Sequence, residues 1–222
     1  MGISADARRG SAGACCTEAG HRFHRGNVVK PHRDFDPRRV GTLECGVWTA
    51  YYRREWLKFL RGALALTRHT FGLPWPETVQ GAWLVLRANQ LWAPYPDNDP
   101  DGARRAMERF YTLVKRRHHE AFDPARAARL ELEWWRVHRE HQHTDDVEAD
   151  ERPLIEALAA LYAYVYDAPV GDVLVAAEQR ALAMRHSDLW VREGRRMDSP
   201  LVELERAALV RSYAALPAGV HR

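Results

Sequence analysis

The sequence predicts an all-α protein: a single-domain bundle of about six to seven helices behind a disordered N-terminal tail. Three observations lead there. Four segments open on an X-Pro step, Asp99-Pro100, Asp123-Pro124, Arg152-Pro153 and Ser199-Pro200, which is how helices start. The stretch Asp123 to His143 carries apolar residues at helical spacing around two adjacent tryptophans. No stretch sustains a period-two alternation rich in β-branched residues, so no strand is expected.

Residues 1–40 are rich in Gly, Ala, Ser and Arg without periodicity, and are expected to be a disordered basic tail. The helical domain is expected over 41–217. Its first element spans Gly41 to Phe71, mostly as one helix, with Trp48, Tyr52, Trp56, Phe59, Leu60 and Leu66 as the apolar stripe and Gly72 as C-cap. Glu44, Trp48, Tyr51 and Glu55 share a face of it. After the Leu73-Pro74-Trp75-Pro76 break, a second helix runs from about Glu77 to Trp92, with Val79, Trp83, Leu86 and Gln90 on one face and Leu84, Ala88 and Leu91 beside it. Pro94 and Pro96 stop it. A third runs from Asp99-Pro100 to about Glu120.

The helix from Asp123 organises the rest. Asp123 caps it and Pro124 suits its first turn. Ala127, Leu130, Trp134, Val137 and His141 form one face, Glu131, Trp135 and His138 its flank, and Arg129, Glu133, Arg136 and Glu140 the far side, where Glu133 and Arg136 can pair. Adjacent tryptophans point about 100° apart on a helix, so each meets a different neighbour. Burying both contributes roughly 3–6 kcal/mol. An acidic loop follows from Thr144 to Glu151. A fifth helix starts near Pro153, a sixth runs from Asp172 to about Glu193, and a last one from Ser199-Pro200 to about Leu216.

Composition bounds the function. With 222 residues and 46% hydrophobic content, one domain can bury a sizeable core. Lys30, Lys58 and Lys115 are the only lysines, and an Ala- and Arg-rich chain of this kind suggests a GC-rich bacterial genome. A net charge of +3 is too small to argue for nucleic acid. Cys15, Cys16 and Cys45 fit neither a disulfide framework nor a zinc pattern, which points to the cytoplasm. The longest apolar run, Ala157 to Tyr166, is too short for a membrane span. Nucleophile elbows and phosphate-binding glycine loops are absent.

Four clusters could carry chemistry. Asp97, Asp99 and Asp101, with Gly102 and then Glu108 at position twelve, supply the hard oxygen ligands of a calcium loop. In this respect the segment resembles an EF-hand loop, over these twelve residues alone. It departs from that family at Pro100, at Arg104 where an aliphatic residue is usual, and in having no second loop. The competing reading is an acidic helix start, with Asp99 as cap and Pro100 in the first turn. His138 and His141, followed by His143, Asp145, Asp146 and Glu148, could share a transition metal, or simply end a helix in water. Glu44, Glu55, Glu131, Glu178 and Asp188 stand on otherwise apolar faces. None of them starts the Glu-x-x-His pair of a di-metal bundle, so pairing with arginines such as Arg87, Arg136 or Arg180 is the expected role. Finally, Cys45 near a helix start could be activated by the dipole, although a buried small hydrophobe fits as well. The run Lys115 to His119 is expected to cap a helix end.

The reading that results is a non-enzymatic binding or protein-interaction module with an aromatic and carboxylate-lined interhelical cleft. Glu44, Trp48, Tyr51, Glu55, Glu131, Trp135, His138 and Asp188 are its candidate ligand residues. No cofactor is firmly implied; calcium or a transition metal would sit in the clusters above. The partner is an unknown small molecule or protein, with a homo-oligomer as one form. Two alternatives stand beside this reading: a carboxylate- and histidine-based enzyme, metal-dependent or not, and a weak nucleic-acid binder working through the Arg-rich tail.

Overall fold

The computed structural model describes residues 31–143 and 150–221. These residues are all-helical: a short 3-10 turn at Pro31–Arg33, then α1 (Pro37–Tyr52), α2 (Trp56–Phe71), α3 (Trp75–Trp92), α4 (Pro100–His118), α5 (Pro124–Gln142), α6 (Arg152–Tyr166), α7 (Val170–Arg192) and α8 (Pro200–Val220). The class agrees with the sequence, and the helix count is slightly higher than expected.

The additional helix comes from a break at residues 53–55, where one helix was expected from 41 to 71. Arg54 adopts a left-handed φ of 60°, and the Glu55 N–H folds back to the Ala50 carbonyl at 2.8 Å. No proline or glycine marks this point. The cause is tertiary: Arg53 donates to the Arg195 carbonyl and Arg195 donates back to that of Tyr52, pinning the chain reversal against the end of α7.

Proline punctuation sets most of the other starts. Asp36, Asp99, Asp123 and Ser199 each accept backbone N–H groups at a helix N-terminus, and a proline occupies the first turn beside each. The helix at Pro37 shows that the ordered chain begins before residue 41. His32, Phe35 and Val40 are buried. His32 and Arg33 both reach Glu120 at the end of α4, at 3.1 and 2.7 Å, and Arg33 also donates to the Tyr166 carbonyl. Residues 31–40 therefore belong to the domain and not to a tail; residues 1–30 lie outside the described residues.

The helices form a ring. Each packs on the next in chain order, and α8 packs back on α1. The loosest seam joins α2 to α3. The closing seams are tight enough to demand glycine: a Cβ on Gly41 would stand 2.7 Å from the Val210 nitrogen, and one on Gly219 only 2.0 Å from the Asp172 carbonyl oxygen.

The buried face of α3 is not the expected one. Thr78, Gly81, Ala82, Leu84 and Ala88 face inward, whereas Val79 and Trp83 stand exposed in a row with Trp75. The small residues let α3 lie close to Phe110 and Leu113 of α4, and this close packing outweighs burial of the bulkier side. On α5, both tryptophans are buried, Trp134 at 9% and Trp135 at 7% exposure.

Candidate functional site

The ring encloses a cleft of about 740 Å³, lined by residues of every helix except α6. That volume lies within the range of sites for drug-sized molecules. Its walls are chiefly aromatic. Trp134 and Trp135 lie 6.0 Å apart edge to face on α5, Trp92 adds an edge contact to Trp135, and Trp48 meets Tyr51 on α1. Phe59 and the half-exposed Trp56 line it from α2.

The candidate residues Glu44, Trp48 and Tyr51 of α1 line this cleft, as do Glu131, Trp135 and His138 of α5 and Asp188 of α7. Glu55 does not. It lies in the break before α2, bonded to Lys58 and Arg53, which hold its carboxyl below the usual range. Glu178 is exposed on α7.

Three polar nodes are built into the apolar walls. In the first, Arg180 of α7 meets Glu44 through both of its terminal nitrogens, at 2.5 and 2.8 Å, and Tyr213 of α8 donates to the same carboxylate at 2.5 Å. Burial disfavours the Arg180 charge, but Glu44 and Tyr213 more than offset it and hold the guanidinium pKa above its ordinary value. The second is Glu131, which accepts from Tyr111 at 2.7 Å and from the Trp135 indole at 3.1 Å. Burial raises its carboxyl pKa, opposed by the Tyr111 hydroxyl and the Arg180 charge. The indole thus finds the acceptor that its burial requires one helical turn back. In the third, Asp188 accepts from Gln142 at 2.8 Å and meets the His138 ring at 3.0 Å.

Sequence reasoning passed over one residue that the structure brings forward. Glu205 of α8 is 2% exposed, lines the cleft, and its Oε2 has no hydrogen-bond partner. Burial first, and then the charges of Glu44 and Asp188 against that of Arg180, push its carboxyl up to about 8. The signal was there: Glu205 precedes Ala208, Leu209, Ser212 and Leu216 on the buried face of α8.

The other clusters are dispersed. Asp99 accepts from the Gly102 N–H at 2.7 Å as a helix cap, and Asp101 pairs with Arg104. Among the described residues no three His, Cys, Asp or Glu side chains gather as a metal site, either around Asp97, Asp99, Asp101 and Glu108 or around His138 and His141. Asp145, Asp146 and Glu148 lie outside the described residues. Cys45 is buried, and burial pushes its thiol up to about 12, the reverse of activation. In the run Lys115 to His119, His118 turns inward to the Phe71 carbonyl at 2.7 Å instead of capping in water. Among the described residues no helix is long and apolar enough to cross a membrane. No protein family, no curated protein and no solved structure matches this chain.

Proposed function

We propose that the protein is a binding module that takes a largely apolar small molecule into the interhelical cleft. The observation that carries this reading is the cleft itself: about 740 Å³, walled by tryptophan and tyrosine from six helices and studded with a few polar groups. The polar nodes support it, because Glu44, Arg180 and Tyr213 are committed to one another and so stiffen the walls. The buried free thiol of Cys45 suits a reducing, cytoplasmic setting.

A second reading has one observation in its favour. A carboxyl with its pKa near 8, buried in a cleft, is what a general acid requires, and Glu205 would be that acid in a metal-free version of the enzyme alternative. Nucleic-acid binding through the Arg-rich tail rests chiefly on residues 1–30, outside those described, and Arg33 is committed to Glu120 and to the Tyr166 carbonyl.

The test is a titration with pyrenylmethanol, a neutral polycyclic probe, followed by energy transfer from the cleft tryptophans. Saturable transfer is expected, weakened about tenfold by Ala63→Trp, which fills part of the cleft from α2. The absence of saturable transfer, or transfer indifferent to Ala63→Trp in a variant that melts like the parent, would reject the reading.

A further inference from the structure

We propose that the cleft selects organic cations: a protonated amine on an aromatic or polycyclic skeleton, its ammonium group held by Glu205. This assignment rests on the binding reading above and adds the charge of the ligand.

The charge inventory of the cleft points this way. Its lining carries four carboxyl groups, Glu44, Glu131, Asp188 and Glu205, against two guanidinium groups, Arg139 and Arg180. Arg180 is held by Glu44 through two nitrogens. Arg139 donates to the Trp92 carbonyl at 2.8 Å and lies over the Trp92 ring, 4.7 Å from its centre. Arg139 has no carboxylate partner among the described residues, and the lining carboxyl groups not paired with an arginine, Glu131, Asp188 and Glu205, outnumber it.

For a cation the cleft offers acceptors. The Glu205 Oε2 is buried without a partner, an arrangement that normally costs stability unless something fills it. The indole and phenol faces that wall the rest of the cleft attract cations through their quadrupoles, most strongly where water is excluded.

Proton bookkeeping follows from the same groups. The titratable and charged groups that face Glu205 are Glu44 and Cys45 on α1, Tyr52 at its end, and Arg180 and Asp188 on α7. Among them only Arg180 carries a positive charge near neutral pH, and Glu44 takes it up. The Glu205 carboxyl therefore holds its proton in the empty cleft. An arriving ammonium ion replaces that proton as counter-charge: the carboxyl becomes carboxylate, the N–H···O bond forms, and the proton passes to solvent.

The experiment compares pyrenylmethylammonium with pyrenylmethanol, two probes of nearly equal shape that differ in charge. The wild-type protein is expected to bind the ammonium form about tenfold more tightly. Ammonium binding in a weakly buffered solution containing a pH indicator is expected to release protons, and alcohol binding to release none. Glu205→Gln is expected to abolish the release and most of the preference, while melting no lower than the parent, which shows that the fold is intact. Equal affinity for both probes in the wild-type protein overturns the cation assignment and leaves the binding reading standing. A preference that survives in Glu205→Gln overturns it as well. Failure of both probes to bind overturns the binding reading and this assignment together.

Discussion

Glu44 of α1 and Arg180 of α7 meet as a two-point ion pair across 136 residues of chain, and Tyr213 of the intervening α8 joins them. One buried node thus ties together the three helices that close the ring. Removing one partner leaves the other charge uncompensated. Arg180→Met is expected to lower the free energy of unfolding by about 3–5 kcal/mol, whereas Glu44→Leu with Arg180→Met together cost much less. Urea denaturation of the two variants measures this. A single variant no less stable than the double would show that the pair is solvated.

Glu205 links stability to pH. Its carboxyl titrates near 4.5 in the unfolded chain and at about 8 in the fold, so between those values the folded state holds a proton that the unfolded state has lost. Stability from this group is complete below about pH 4.5 and declines as pH rises, by about 1.4 kcal/mol for each unit, until it levels off above about pH 8. Glu205→Gln does not titrate. The difference in unfolding free energy between variant and wild type is therefore expected to grow in favour of the variant from pH 5 to pH 8. A constant difference across that range would mean that Glu205 is already ionised in the fold.

The ring seams should be intolerant of a single methyl group. In Gly219→Ala the new carbon would collide with the Asp172 carbonyl, which is backbone and cannot swing aside, and Gly41→Ala meets the backbone of Val210. Each is expected to cost about 1–3 kcal/mol. Gly46→Ala serves as control, since its Cβ would enter open space. Thermal melting that ranks Gly46→Ala with the other two would contradict the seam geometry.

Asp99 separates the two meanings of the acidic stretch before α4. As a cap accepting from Gly102, its loss in Asp99→Ala should cost about 1 kcal/mol, and equally with calcium or with chelator present. A melting point that rises with calcium in the wild type and not in the variant would restore the calcium-loop reading.

Much of this architecture was legible because proline and aspartate mark helix starts locally: Asp99-Pro100, Asp123-Pro124 and Ser199-Pro200 each open a helix in the fold. Convergence of Glu44, Glu131, His138 and Asp188 on one cleft follows from their places on apolar faces, where a carboxylate has to find company. What escaped was set by distant contacts. The break at Arg54 depends on Arg195, some 140 residues away, and nothing near it in sequence announces a turn. The inward face of α3 was decided by how closely Gly81 and Ala82 let α4 approach, against the stronger apolar signal of Val79 and Trp83. Glu205 was missed for a different reason: Glu203 and Arg206 beside it read as a solvated face, although Glu205 shares the buried face of Ala208, Leu209 and Ser212.

The ring also dictates an order of events during folding. Seven of its seams join helices adjacent in the chain and need only short loops to close, but the seam between α8 and α1 brings together segments as distant as Arg33 and His221, whose ring nitrogen lies 3.0 Å from the Arg33 carbonyl oxygen. That closure belongs late on the pathway, after an open arc of helices has formed. Substitutions along it should accelerate unfolding while hardly slowing refolding, so the persistence of the native state over time depends on the last contact made.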